Sequence, residues 1–172
     1  MEVINSNSIR KALYVSAFFP DANAPHAGGQ AAYQNRLDLE KSGYMVTTVV
    51  CSTEKNLPQN YKEVIVFHQN KTNLFLSYIK NIISLKIKGF FSWPFFDTRS
   101  NIEFEYFLGE ELKKNSYEII FVDFTQTIEP VLRAITSTKR IPVTQVCVHD
   151  LYIQKFLRSP TIIARFFTGL IA

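Results

Sequence analysis

Residues 11–52 read KALYVSAFFPDANAPHAGGQAAYQNRLDLEKSGYMVTTVVCS. An apolar run, 12–19, is expected to form a buried strand. A loop rich in Pro, Asp, Asn and Gly follows over 20–30 and contains Gly28-Gly29. A helix is expected from about Gln30, with Tyr33 and Leu37 one turn apart and Ala31 and Ala32 small enough to sit close to a sheet. Gly43 is expected to stop it, and 45–51 forms the next strand. Strand, loop, helix and strand in that order make the repeating unit of a parallel α/β sheet. In such sheets ligands collect outside the carboxyl end of the first strand. The next helix starts there, and its free N–H groups and dipole favour negative charge. The loop 20–30 is therefore the first place to expect function.

Outward from this unit the alternation continues. Residues 1–9 are a polar lead-in and 53–61 a polar loop, and 63–67 is a short third strand ending at His68. The stretch 73–96, NLFLSYIKNIISLKIKGFFSWPFF, is expected to hold a helix over 74–88, stopped by Gly89, then an aromatic loop. Thr98 or Ser100 is the expected cap of a further helix reaching about Lys114. A fourth strand covers 117–123. The helix after it, 126–136, has Pro130 in its first turn, where a missing N–H costs little. A fifth strand, 142–148, ends at His149-Asp150. A short helix at 151–157 and a helical segment at 161–172 complete the chain. The expected fold is one α/β domain, a Rossmann-like parallel sheet flanked by helices on both faces.

The composition fits that class. Of 172 residues, 47% are hydrophobic and 20% charged, too apolar for a disordered chain. The net charge of +4 (19 basic against 15 acidic) comes from spread-out residues. It suits an anionic substrate or membrane surface and makes no demand for nucleic acid. Cys51 and Cys147 fall in expected buried strands and read as reduced core thiols of a cytoplasmic protein. The first ten residues lack the apolar core of a secretory signal, and no run has the length and purity of a membrane span.

Four constellations carry the candidate chemistry. Gly28 and Gly29 let backbone approach a ligand closely, and N–H groups at a helix start can hold a phosphate or a sugar. The same residues also make a plain turn. Gln30 and His26 belong to this group, His26 either as a ligand contact or as part of the loop alone. His149 and Asp150 follow the fifth strand onto the same sheet edge. A histidine there can bind a hydroxyl or phosphate or exchange a proton, whereas Asp150 also suits a helix cap. Asp123, Thr125 and Gln126 end the fourth strand on that edge, as ligand contacts or as a capping cluster. Residues 73–96 read either as a core-packing helix or as an interfacial segment. In the second case Phe90, Phe91, Trp93, Phe95 and Phe96 dip into a membrane surface beside Lys80, Lys86 and Lys88. The dinucleotide fingerprint, the P-loop and the G-x-S-x-G nucleophile elbow are all absent. His26, His68 and His149 lack the company a metal site needs.

The opening stretch, with Gly28-Gly29 and then Gly43-Tyr44-Met45-Val46, resembles the amino-terminal opening of GT-B-fold retaining glycosyltransferases of the family 4 type. IPVTQVCVHDLY is similar to that family's strand ending in an active-site histidine. The resemblance implies the N-terminal half of a GT-B architecture, acceptor-side, with the active site facing a second domain that binds the nucleotide-sugar. It implies that Gly28 and Gly29 approach donor phosphates or acceptor, and that His149 lies close to the transferred sugar. It implies no metal and no cofactor besides the nucleotide-sugar donor, and a glycan or lipid-linked acceptor at the inner face of a membrane. The family's paired glutamates and basic diphosphate ligands have no counterpart here. The chain is thus expected to be a fragment, inactive alone, of an enzyme roughly twice its length. Two rivals remain open. One is a non-catalytic flavodoxin-like or Rossmann-like module binding nucleotide or phosphate. The other is a membrane-docking module built on 73–96.

Overall fold

A computed structural model describes residues 9–52, 64–69, 72, 76, 101–138 and 142–147. Five strands form one all-parallel sheet: β1 (Lys11–Ser16), β2 (Met45–Ser52), β3 (Val64–His68), β4 (Ile119–Asp123) and β5 (Val143–Cys147). Their order across the sheet is β3-β2-β1-β4-β5. Among the described residues three α-helices flank it: α1 (Ala27–Lys41), α2 (Ile102–Lys114) and α3 (Ile128–Thr136), the last preceded by a 3-10 turn at Thr125–Thr127. The chain is an α/β domain with the Rossmann-like strand order. Of the expected helix at 74–88 and the stretch 73–96 only Leu76 is described, helical and exposed; the expected helices at 151–157 and 161–172 lie outside the described residues.

The sheet's two faces follow from the period of two along each strand. Leu13, Val15, Val49, Cys51, Ile120 and Val122 pack against Phe104 and Leu108 of α2 and Val131, Ala134 and Ile135 of α3. Ala12, Tyr14, Val46 and Phe121 face the other way, against Ala32 and Leu39 of α1. Right-handed crossovers demand this split. The chain moves from β1 toward β2 on one side and from β4 toward β5 on the other, so α1 and α3 lie on opposite faces. At the amino edge, Arg10 grips Glu118 with two bonds of 2.9 Å and lies over the Tyr44 ring at 4.1 Å, tying together the starts of β1, β2 and β4.

Several boundaries differ from expectation for physical reasons. Helix α1 begins at Ala27 because the His26 side chain caps it, so Gly28 and Gly29 lie inside its first turn. Its buried positions are Gly29, Ala32 and Leu39, while Tyr33 and Leu37 are half-buried. Gly43 does end this helix, at φ +84°. Helix α2 is capped by Asn101, whose side chain accepts from Glu103 N, and neither Thr98 nor Ser100 fills that role. Strand β1 stops at Ser16, well before Phe19, because the Ser16 hydroxyl accepts from Phe18 N at 3.1 Å and turns the chain. Cys51 is buried and Cys147 only half-buried, and both are free thiols. No helix among the described residues is long and apolar enough to cross a membrane.

Candidate functional site

In the order β3-β2-β1-β4-β5 the direction of winding reverses between β1 and β4, whose last residues, Ser16 and Asp123, pair in register. This is the switch point, where a crevice opens between the two exit loops. From the β1 side, Phe18 enters it. Its ring lies 5.2 Å from the His26 ring and 4.6 Å, edge-on, from Phe124 of the β4 side. Phe124 sits at φ +71°, a left-handed conformation that costs a non-glycine residue about 1–2 kcal/mol. Thr127 holds that turn: its buried hydroxyl donates toward Asp123 O and Phe124 O, each at 3.0 Å. Between them stands Gln126, whose Oε1 is buried with no hydrogen-bond partner among the described residues.

Beneath the crevice lies a buried polar group. The Tyr14 hydroxyl bonds Asp123 Oδ2 and also lies 3.0 Å from Ala32 O of α1. Asn35 of α1 donates to Asp123 Oδ1 at 3.2 Å and lies 3.9 Å from Cys147 Sγ. Tyr14, Asp123 and Ser16 are fully inaccessible. Burial first, then the charge of Asp123 and the hydrogen bond to it, hold the Tyr14 phenol far above its ordinary pKa. Burial and the same carboxylate raise the Cys147 thiol, so it stays protonated and poorly nucleophilic. The group therefore acts as a fixed scaffold that locks α1 to β1, β4 and β5.

The residues singled out from sequence meet different fates. His26 caps α1, its Nδ1 accepting from Gly29 N at 3.0 Å. Gly28 lies against Phe18, where a Cβ would come within 3.0 Å of the ring. A Cβ at Gly29 would come 2.5 Å from Ala24 Cβ and 3.1 Å from Phe19 O. These glycines therefore permit a close helix–loop contact, and the Gly29 N–H is already engaged. Gln30 turns back to donate to Ala24 O at 2.9 Å. Thus His26, Gly28, Gly29 and Gln30 build the wall of the crevice on the β1 side, and Gln126 stands on the β4 side. Asp123 is no helix cap: its side chain runs under α1 instead. His149 and Asp150 lie outside the described residues.

Phe18, Phe124, Tyr14 and Asn35 escaped sequence reasoning. A tyrosine inside an apolar strand was the available signal, because its buried hydroxyl must find a partner. Among the described residues no group of His, Cys, Asp and Glu could hold a metal ion. Comparison with protein-family models, with curated proteins and with solved structures gave no match.

Proposed function

We propose that this domain is the acceptor-side, amino-terminal half of a cytoplasmic GT-B glycosyltransferase working at the inner face of a membrane. The reaction would break the bond between a sugar's anomeric carbon and the nucleoside diphosphate. It would form one from that carbon to a hydroxyl of a glycan or lipid-linked acceptor, with retained configuration. His149, two residues beyond the end of β5, would orient the reacting sugar. The observation that carries this reading is the Gln126 Oε1, buried with no partner among the described residues, two residues beyond Phe124 of the Phe18–Phe124 ring pair at the switch point. A buried acceptor left unpaired is costly, and a ligand hydroxyl would satisfy it. The half-buried Phe18 ring, packed edge-on against Phe124, is the aromatic group of the switch point that could meet the C–H face of a sugar. The Gly29 N–H is taken by His26, which counts against phosphate on the first turn of α1.

Titration of the isotopically labelled chain by NMR tests the reading. Short oligosaccharides are expected to shift the amides of Phe18, His26 and Gln126, with weak affinity. UDP-, GDP- and dTDP-sugars are expected to leave them unmoved at equal concentration. Tight nucleotide-sugar binding by this chain, with no response to oligosaccharides, would replace the reading with the nucleotide-binding module.

A further inference from the structure

Helix α1 starts on its weakest turn. Ala27-Gly28-Gly29-Gln30 holds two poor helix formers and no acidic side chain. Its cap is a histidine where Ser, Thr, Asp or Asn is usual. His26 has extended backbone (φ −136°, ψ 151°), and its Nδ1 accepts from Gly29 N at 3.0 Å. Only the neutral imidazole, protonated on Nε2, offers that lone pair. Protonating Nδ1 would set a donor against a donor. It would also place a cation on the positive end of the helix dipole. Both effects push the ring off the helix start.

The ring's position matters to the loop. Phe18 packs on His26, on Gly28 and on Phe124, so the imidazole forms one side of the aromatic seat at the switch point. Around it, Asp21 of the same loop uses Oδ1 to hold Asn23 N at 2.9 Å. Gln30 of α1 uses its amide to hold Ala24 O.

We propose that His26 is a proton-operated latch on the β1–α1 loop, closed when the imidazole is neutral and open when it is protonated. Loop residues 17–26 then loosen from the switch point when the imidazole gains its second proton. The latch rests on helix-cap geometry and is independent of the ligand class proposed above.

The test is NMR on the full 172-residue chain between roughly pH 8 and pH 5. It follows the His26 ring signals and the Gly29 amide protection, corrected for intrinsic exchange. Protection is expected to fall roughly fivefold as His26 protonates, the equivalent of losing one cap. His26→Asp, whose carboxylate accepts across this range, is expected to hold protection constant, and His26→Asn to do the same. His26→Ala is expected to be low at both ends. Constant protection in the wild type while His26 titrates would overturn the latch. So would an equal fall in both His26→Asp and His26→Asn.

Discussion

Alternate residues of the same strands build two faces of opposite chemistry. Toward α2 and α3 the sheet presents Leu13, Val15, Val49, Cys51, Ile120 and Val122, all apolar apart from the Cys51 thiol, which lies 3.9 Å from Gln69 Oε1. Toward α1 it presents Tyr14, Ser16, Thr48 and Asp123 among smaller apolar residues, all four polar groups fully buried. The first face gains stability from area removed from water, which depends little on orientation. The second gains a single geometry, because Tyr14 and Asn35 must both meet Asp123; Thr48 Oγ1, buried with no partner among the described residues, takes no part in it. That second face leads directly to the switch point. The domain thus separates the part that holds it together from the part that sets the shape of its crevice.

The largest expected effect lies on the apolar face. Phe104 of α2 is wholly buried, with its ring 5.4 Å from Phe67. Phe104→Ala should cost about 3–5 kcal/mol, read from urea unfolding. A loss below about 1 kcal/mol would break the comparison, since that face would then not carry the stability assigned to it.

A smaller loss with a pH signature is expected on the polar face. Tyr14→Phe removes the donor to Asp123 and should cost about 1–3 kcal/mol. It should also change the response to base. The folded Tyr14 phenol keeps its proton well above the ordinary range, chiefly through burial and then through Asp123. An unfolded tyrosine loses its proton near pH 10. Where the folded state binds more protons, stability falls as pH rises. Tyr14 therefore contributes fully below about pH 10 and progressively less above it. Tyr14→Phe should flatten the alkaline decline of stability, leaving the part due to Tyr117, whose phenol is raised by burial and then by its bond to Glu111. An unchanged slope would show that the Tyr14 phenol loses its proton alike in the folded and unfolded chain.

The two faces were unequally legible in the sequence. The apolar runs placed the central strands β1, β2 and β4, because burial on both sides of a parallel sheet leaves nearly continuous hydrophobic segments. The edge strands β3 and β5, half-buried or exposed along their length, were legible only as shorter runs. The polar face depends on pairs far apart in the chain: Tyr14 and Asp123 are 109 residues apart, and Asn35 and Asp123 are 88 apart. No local pattern records such a pair. Helix starts failed for a different reason. Gly28-Gly29 reads as loop, and histidine is a rare cap, so in the sequence the first turn of α1 is indistinguishable from the loop before it. Near α2, Thr98, Ser100 and Asn101 are all good caps by type, and only the geometry at Glu103 N selects Asn101. The Gln126 position on the carboxyl edge was legible from the strand ending before it, but its buried, unpartnered oxygen was not.

The same substitution on the two faces gives the finest test. Glycine to alanine in a helix normally gains about 1 kcal/mol of propensity. Gly109 lies on the apolar side, within α2, and an added Cβ there meets only Ser137 Oγ, at 3.1 Å. That hydroxyl must yield by a few tenths of an ångström while keeping its bond to Ala134 O, which a single rotatable side chain at the end of α3 can do. Gly109→Ala should therefore be neutral or stabilising, by no more than about 1 kcal/mol. Gly29 faces Ala24 Cβ at 2.5 Å and the Phe19 carbonyl at 3.1 Å, and neither can swing away. The propensity gain there is outweighed by overpacking, and Gly29→Ala should lose about 1–3 kcal/mol. It should also displace the His26 ring, whose Cε1 lies 3.2 Å from the new Cβ position. If the two alanines shift stability equally, helix propensity alone governs both, and the close contact between α1 and the β1 exit loop sets nothing.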